Sequence, residues 1–478
     1  MSRSGLVELA AQARRDFARM NYPAADWVPA GVGPDGARLL DVLVVGGGMC
    51  GQTAAFALAR DGVRNVRVVD RAGAGLEGPW GTYARMDTLR SPKHLTGPDL
   101  GFPALTFRAW YEAQYGTEGW ERLYKIATGH WLKYLLWVRE MTGVVVENHV
   151  ETTRLDPGPD WVRAALRGQA GTETVYVRRV VLAGGRDGSG APSRPAFPSL
   201  PRAGDGRGRV FHSSDSIDFA RFRGGRIGVL GVSASAFDNA ATALEQGAAE
   251  VHVFARRGQL PQVNKFKWTV FPGFFHGYRH LDDAARRRIG SYLFAEGVPP
   301  PHETLLRCDR HAGFAVHLSE PWLDVTAADD GVTVVTGKDR YQFAAVIFGT
   351  GFSVDLAQRP ELAPFHDQIA VWADRVPHEE AALHPDEVRF PYLGPGFELT
   401  ERTPGSLPGL SRIHCFNAGA TMSHAPVAGD IPGLAFGANR LSRAIARSLF
   451  IAGAVELEAA LHAYDDRELE PTRFFAER

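Results

Sequence analysis

The chain of 478 residues is long enough for two domains, and its 45% hydrophobic and 22% charged residues are typical of a folded enzyme. The formal net charge of −1 provides no basic field, which argues against nucleic acid as a partner. The three cysteines lie far apart and form no Cys-x-x-Cys, so we expect no disulfide framework, no dithiol chemistry and no metal site.

Residues 1–40 precede the first strand. Apolar residues at helical spacing between Leu6 and Phe17 predict a helical extension, and a linker rich in Pro and Gly follows at 28–36. The extension lacks the continuous apolar core of a signal peptide, and no apolar stretch is long enough to cross a bilayer. We therefore expect a cytoplasmic protein with no membrane partner.

A glycine-rich turn follows the first strand, 41–45, and opens a helix over 52–60. Gly46 permits the tight turn, Gly48 lets a pyrophosphate approach the backbone, and Gly51 lets helix and strand pack closely. Free N–H groups and the helix dipole at the helix N-terminus favour a phosphate there. The pattern predicts a dinucleotide-binding site.

The next strand, 66–70, ends in Asp70, roughly 20 residues after the last glycine of the turn. An acid at this place binds the ribose hydroxyls of a dinucleotide, and the adjacent Arg71 is assigned to the same cofactor site. A helical, aromatic-rich segment at 110–141 and short strands at 144–147, 161–166 and 175–182 follow.

The glycine pattern recurs after a crossing rich in Pro and Gly at 188–208. Gly231 opens the second turn, Ser233 and Ala236 stand at the second and third glycine positions, and Ser235 lies between them. A helix at 237–246 follows. We expect a second, degenerate dinucleotide site.

The strand after this helix, 251–254, is followed by Arg256 and Arg257 rather than by an acid. Guanidinium groups suit a 2′-phosphate, whereas an acid repels it, so this site is expected to bind NADPH unless both arginines are solvated. Two dinucleotide sites in one chain indicate a flavin, FAD, and its nicotinamide reductant.

The rest of the chain completes an α/β fold, with a helix near 282–294 and strands at 313–318, 331–336, 341–348 and 413–416. We predict two Rossmann-like domains, with the NADPH-binding domain, 206–339, inserted into a discontinuous FAD-binding domain, 41–205 and 340–478. Residues 1–40 form the N-terminal helical extension.

From Asp41 to about Phe450 the chain resembles the class B flavoprotein monooxygenases, which include flavin-containing, N-hydroxylating and Baeyer–Villiger enzymes. The resemblance rests on both glycine motifs and on stretches 78–82, 180–185, 208–213 and 348–352. It implies an enzyme that uses FAD, NADPH and O2 to insert one oxygen atom into a small organic substrate. In this family the reaction proceeds through a flavin C4a-(hydro)peroxide in a site that excludes water.

Departures from the family pattern bear on the type of reaction. Gly206 stands where the linker signature opens with Phe, and Ser216 stands where Baeyer–Villiger enzymes have an aromatic residue. N- or C-hydroxylation is therefore expected ahead of lactone formation. Gly184 replaces the usual Thr, and Phe352 replaces the usual Tyr.

The resemblance places the segment around Arg90 and Lys93 beside the flavin ring. Either cation would hydrogen-bond the developing peroxide or anchor an anionic substrate, unless both are surface charges on a proline-broken loop. Trp80 would pack on the flavin or be a core aromatic residue.

Four further positions complete the candidate site. His424 follows the last strand and would handle protons near neutral pH. Asp430 lies in the N-cap region of the final helix and faces the flavin there, or only caps the helix. Thr350 and Gly351 belong to the domain junction and are assigned to cofactor binding.

Two other functions stay open: a flavin oxidase or reductase with a vestigial NADPH domain, and a non-catalytic protein that senses dinucleotides. The substrate and any association into a homo-oligomer are also open.

Overall fold

The computed structural model describes residues 3–95, 97–200, 207–469 and 473. Gly206 and the predicted boundary between residues 205 and 206 lie outside the described residues. The strands are β1 Leu40–Val45, β2 Val66–Asp70, β3 Glu147–Asn148, β4 Glu151–Pro157, β5 Val162–Gly168, β6 Gly171–Leu182, β7 Gly190–Pro192, β8 Val210–His212, β9 Arg226–Leu230, β10 Glu250–Phe254, β11 Phe314–His317, β12 Trp322–Ala327, β13 Val332–Thr336, β14 Arg340–Phe343, β15 Ala345–Phe348, β16 Phe352–Val354 and β17 Ile413–Cys415.

The helices lie mainly between these strands, as in α/β proteins. They are α1 Arg3–Arg19, α2 Met49–Arg60, α3 Phe107–Arg122, α4 Thr128–Thr142, α5 Ala234–Glu245, α6 Lys265–Trp268, α7 Pro272–Gly277, α8 Asp283–Glu296, α9 His302–Asp309, α10 His378–Leu383, α11 Thr421–His424, α12 Leu434–Ala452 and α13 Ala454–Ala463. Among the described residues, no helix is both long and apolar enough to span a membrane.

The first domain is built on a sheet with the strand order β3-β2-β1-β6-β5-β4, and β17 pairs in parallel with the end of β6. β1 lies in its middle, with Val42 opposite Val66 of β2 and Arg179 of β6. Val42, Leu43 and Val44 of β1 are fully buried, because α2 packs on this sheet and α12 packs on α2. The apolar run in the sequence is therefore a central parallel strand.

The second domain is built on a parallel sheet with the order β11-β10-β9-β15-β8. A three-stranded antiparallel sheet, β12-β13-β14, packs on it through Trp322 and Phe343 against Phe254. This domain is inserted between β6 and β17 of the first sheet, so the predicted α/β fold with one dinucleotide domain inside another is confirmed.

The two crossings between the domains pair with each other. β7 on the way out and β16 on the way back form a two-stranded antiparallel ladder, with Phe352 opposite Pro192. Side by side, they make one joint instead of two independent linkers.

One predicted strand divides in the structure. Residues 340–343 pair antiparallel with β13, whereas residues 345–348 pair in parallel with β9, so Ala344 is a corner between two sheets. The continuous apolar run of the sequence contains no turn residue that would indicate this corner. Since both strands belong to the second domain, we propose that the second domain boundary lies after Phe348 rather than after residue 339.

The final helix begins later than expected. Its N-cap is Gly433, so Asp430 does not cap it and instead accepts the N–H of Ile431 at 3.1 Å. Residues 431–433 form a turn that precedes the helix. The predicted N-cap role of Asp430 is therefore wrong.

Candidate functional site

The first glycine turn joins β1 to α2. Gly46 has φ +108°, and a Cβ there would lie 2.8 Å from the carbonyl oxygen of Ala183, while a Cβ on Gly51 would collide with the carbonyl oxygen of Gly46. The chain's own packing thus requires both glycines. Gly48 differs: its φ of −69° suits any residue, and a Cβ would lie 3.7 Å from its nearest neighbours, the Glu77 carbonyl and the Gly78 nitrogen. The protein itself does not need a glycine at this position.

The N-terminus of α2 has the donors that a pyrophosphate needs. Its first residues, Met49 and Cys50, are buried, and no side chain caps their turn. Burial raises the pKa of the Cys50 thiol to about 12, so this cysteine is neutral and inert. The free N–H groups at the start of α2, next to the small residue Gly48, fit the diphosphate of FAD.

Asp70 braces the same turn. Its carboxylate accepts the N–H of Gly47 at 2.8 Å and the N–H of Ala72 at 2.8 Å. The neighbouring Arg71 forms an ion pair with Asp187, which follows β6. The structure thus brings Asp70 and Arg71 to the carboxyl ends of β1, β2 and β6, where open α/β sheets bind ligands.

The second glycine turn has the same form with different residues. Gly231 has φ +120°, and a Cβ there would collide with the carbonyl oxygen of Gly349. Ala236 fits at the third glycine position because its methyl faces Gly349, where a Cβ would lie 2.6 Å away. Ser233 is the N-cap of α5 but makes no side-chain cap, so its hydroxyl is open to a ligand, and the half-buried Ser235 lies in the first turn. The degenerate motif is therefore still able to receive a phosphate.

The two arginines after β10 lie in different surroundings. Arg257 donates to the carbonyl oxygens of Ala295 at 3.0 Å and Glu296 at 3.3 Å and so caps the end of α8. Arg256 is exposed and, within the described part of the chain, makes no hydrogen bond or ion pair. Of these two arginines, only Arg256 has all of its guanidinium N–H donors available to a ligand.

The junction motif joins the two domains. The Thr350 hydroxyl donates to the carbonyl oxygen of Ser193, and the Ser193 N–H donates back to Gly351 at 2.8 Å. His212, fully buried at the end of β8, lies 2.8 Å from the same Gly351 oxygen through Nε2, while its Nδ1 accepts the N–H of Ser214 at 3.1 Å. Burial lowers the pKa of His212, which is consistent with a neutral ring that donates from Nε2.

Four charged side chains converge between the two glycine turns. Burial lowers the pKa of Arg90, and the nearby charge of Arg186 lowers it further, against the opposing fields of Asp238 and Asp430. Burial likewise raises the pKa of Asp430, which Arg186 and Arg90 oppose. Arg186 follows β6, and Asp238 lies on α5, so both domains contribute to this cluster.

Lys93 and Trp80 lie beside this region. The Lys93 ammonium donates to the carbonyl oxygen of Trp120 at 2.6 Å and stands over the Trp120 ring, so it caps the end of α3. Trp80 is half-buried and meets Trp131 edge-on at 6.3 Å between ring centroids. The structure therefore brings Arg90 but not Lys93 into the charged cluster.

His424 is buried and both of its ring nitrogens have partners. Nε2 lies 2.9 Å from the carbonyl oxygen of Gly394, and Nδ1 lies 3.1 Å from the guanidinium of Arg440. Its ring stacks on Phe397 with centroids 4.0 Å apart. Burial, reinforced by Arg440, lowers the pKa of His424 well below its usual value. This neutral, fully bonded ring is suited to holding α11 and α12 together.

Sequence reasoning missed two members of the cluster. Arg186 comes directly after the glycine pair that follows β6, a position that could have drawn attention to it. Asp238 is buried in a helix, where its carboxylate accepts the Thr304 hydroxyl at 2.9 Å, and burial raises its pKa to about 6. Only the fold brings it near Arg90. Among the described residues, no group of His, Cys, Asp or Glu could hold a metal ion.

Two nucleotide turns at the ends of parallel strands in two sheets, joined by a paired crossing, define the two-domain dinucleotide-binding flavoprotein fold. The model of the pyridine nucleotide-disulphide oxidoreductase family matches residues 40–267. A curated protein of Xanthomonas campestris pv. campestris, named FAD-dependent urate hydroxylase, is 40% identical over 97% of both chains. The chain therefore belongs to the flavoprotein family of this hydroxylase.

Solved structures agree in fold. The ornithine hydroxylase of Pseudomonas aeruginosa in its reduced form has a TM-score of 0.66 at 17% identity and covers 86% of this chain and 100% of its own. The L-lysine 6-monooxygenase of Pseudomonas syringae has a TM-score of 0.63 at 18% identity, with 86% and 99% covered. The predicted resemblance to flavin monooxygenases is confirmed for the fold.

Proposed function

We propose that this protein is an FAD-dependent monooxygenase that uses NADPH and O2 to hydroxylate urate or a closely related oxopurine. The end-to-end identity of 40% with a protein named FAD-dependent urate hydroxylase carries this proposal. The two uncapped glycine turns support it, because the reaction needs a flavin and a reductant in one chain. Hydroxylation agrees with the expectation from Ser216.

The residues at the first turn fit FAD. The N–H groups at the start of α2 would bind its diphosphate over Gly48, and Asp70 would keep the turn in place through Gly47. Trp80 and Asp430 would border its ring system at the carboxyl ends of the strands. When bound, FAD supplies the redox chemistry, accepting hydride and activating dioxygen.

The second turn would bind NADPH. The N–H groups at the start of α5 and the Ser233 hydroxyl would hold its diphosphate, and Arg256 would contact the 2′-phosphate. Thr350 and Gly351 fix the crossing beside this turn, so we assign them to positioning the second domain against the first. Arg90 interacts electrostatically with Asp430 of the first domain and Asp238 of the second, so we assign it to the place where the substrate would meet the cofactor.

The proposal is tested with purified holoenzyme. NADPH oxidation, urate loss and hydrogen peroxide are followed together, and one 18O atom from 18O2 is expected in the product by mass spectrometry. Xanthine, ornithine and lysine serve as comparison substrates. NADPH oxidation that yields only peroxide with every substrate would instead indicate an oxidase, and protein without bound flavin would indicate a non-catalytic sensor. Cytoplasmic location and any homo-oligomer stay predictions.

A further inference from the structure

Arg90 is a half-buried guanidinium without an acceptor. Within the described ranges, no hydrogen bond or ion pair joins its side chain to another residue, although Asp238 and Asp430 act on it from a distance. A partly buried cation is normally paired, because its five N–H donors lose water on burial. Here the neighbouring acids balance its charge but leave its donors free.

The backbone that carries Arg90 is held rigidly. The Leu89 N–H donates to the carbonyl oxygen of Ile126 at 2.8 Å, and Leu89 itself is buried. Thr128 binds the same segment twice, from its hydroxyl to Met86 at 2.7 Å and from its N–H to Asp87 at 2.9 Å. The side chain of Arg90 therefore starts from a fixed point, which reduces the entropy that its binding of a ligand would cost.

The cluster around Arg90 lies where ligands meet. Arg186 follows β6, Asp430 precedes α12, and Asp238 lies near the start of the helix after β9, so the group combines residues that follow strands of both sheets. Arg186 is exposed and, among the described residues, its guanidinium likewise has no hydrogen bond or ion pair. Two cations with free donors thus border the space between the two cofactor turns.

Resting on the proposed function, we propose that Arg90 binds the substrate as an anion, through paired N–H donors to neighbouring acceptors on one edge of a planar oxopurine. Urate is a monoanion at neutral pH and presents ring nitrogens and carbonyl oxygens side by side. A guanidinium fork matches such an edge with two parallel hydrogen bonds, whereas an ammonium offers only a point charge. Arg90 is then a residue that determines substrate specificity.

The test measures urate binding separately from cofactor binding. Arg90→Gln removes the charge, Arg90→Lys keeps the charge without the fork, and Arg108→Gln is the control, because Arg108 is an exposed arginine paired with Glu112. Flavin absorbance on anaerobic titration with urate gives Kd, and steady-state kinetics give KM for urate and for NADPH. FAD content and thermal melting are measured for every variant.

Arg90→Gln is expected to raise Kd and KM for urate about tenfold or more, with FAD content and the KM for NADPH unchanged. The Kd and KM for urate of Arg90→Lys should lie between those of Arg90→Gln and the parent. Dilute guanidinium should partly restore urate binding to Arg90→Gln. Unchanged urate affinity in both variants overturns the inference, as does loss of FAD or a rise in the KM for NADPH alone. A parent enzyme that does not oxidise urate overturns the proposed function instead.

Discussion

At the scale of single residues, the two glycines that flank the start of α2 have different reasons to be glycine. A Cβ on Gly51 would collide with the carbonyl oxygen of Gly46, whereas a Cβ on Gly48 would face only more distant atoms of the loop at 77–78. Gly48→Ala is therefore expected to leave the melting temperature of the apoprotein unchanged but to lower FAD content sharply, because the methyl would meet the diphosphate. Absorbance of purified protein and calorimetry after flavin removal measure this.

Gly51→Ala is the matched control. It adds the same methyl where the helix meets the turn, so it should lower the stability of the apoprotein itself. Full flavin occupancy in Gly48→Ala would contradict the assignment of this turn to FAD.

The two arginines after β10 are also expected to have different roles, because only one of them is bound to the protein itself. Arg256→Ala removes a guanidinium that has no partner among the described residues, and loss of a charged hydrogen bond of roughly 1.5–3 kcal/mol should raise the KM for NADPH about tenfold or more. The KM for NADH should not change. Arg257→Ala, which loses only its contacts with the end of α8, should leave both values near the parent's. An equal effect of Arg256→Ala on both nucleotides would exclude a 2′-phosphate contact.

At the scale of secondary-structure elements, the paired crossings make the joint between the domains. β7 and β16 form its ladder, and buried His212 fixes the end of β8 to the Gly351 carbonyl. His212→Ala should lower the free energy of unfolding by about 1–3 kcal/mol, because a buried hydrogen bond is lost. We also expect slower flavin reduction by NADPH with FAD content retained, since the second domain is held less firmly.

Urea denaturation and stopped-flow reduction of the flavin measure the two effects. His366→Ala is the control, because His366 is a partly exposed histidine whose one hydrogen bond within the described residues is to the nearby carbonyl oxygen of Ala363. Reduction as fast as in the parent would show that His212 is a core residue with no influence on the joint.

At the scale of the whole molecule, the domain interface carries charge. Arg307 of α9 lies 3.3 Å from Asp87 of the first domain and 2.6 Å from Glu245 of α5, and Lys125 pairs with Glu303. Asp238 lies among these groups, where burial raises its pKa from 3.8 to about 6; Arg90 and Arg307 oppose the rise and Asp87 adds to it. The stability of the two-domain arrangement should therefore depend on pH through Asp238.

The direction follows from proton binding. Because the pKa of Asp238 is higher in the folded state than in the unfolded state, the folded protein binds more protons between pH 4 and pH 6. The contribution of Asp238 to the free energy of unfolding is therefore most favourable below about pH 4 and is lost as the pH rises through 6. Asp238→Asn, which keeps an acceptor for Thr304, should gain on the order of 2–3 kcal/mol over the parent at pH 7.5 and little at pH 4. Urea denaturation across this range measures it, and a gain independent of pH would contradict the assignment.

The sequence was sufficient for features that depend on neighbours along the chain. Both glycine turns, their flanking strands and the inserted second domain could be predicted, because turn chemistry and apolar runs are local. The corner at Ala344 could not, because two sheets share one apolar run. The sequence did not indicate that Arg440 and Phe397 lie against the His424 ring, and its proton-transfer role stays a prediction. Asp238 and Arg90 come close enough for an electrostatic interaction only because of how the two domains are arranged.

The contact between Gly231 and Gly349 has a consequence for how the enzyme responds to its reductant. Gly231 opens the nucleotide turn, and Gly349 begins the segment whose Gly351 carbonyl is bound by His212. The Gly349 N–H also donates to the carbonyl oxygen of Leu230, the residue before Gly231, at 2.8 Å. A displacement of the turn by the nucleotide therefore reaches the crossing through this hydrogen bond and the close approach of the two glycine backbones. Thermodynamic linkage is reciprocal: if nucleotide binding favours one angle between the domains, that angle strengthens nucleotide binding by the same factor. An engineered restraint on the crossing would thus retune the affinity for NADPH without touching a single cofactor ligand.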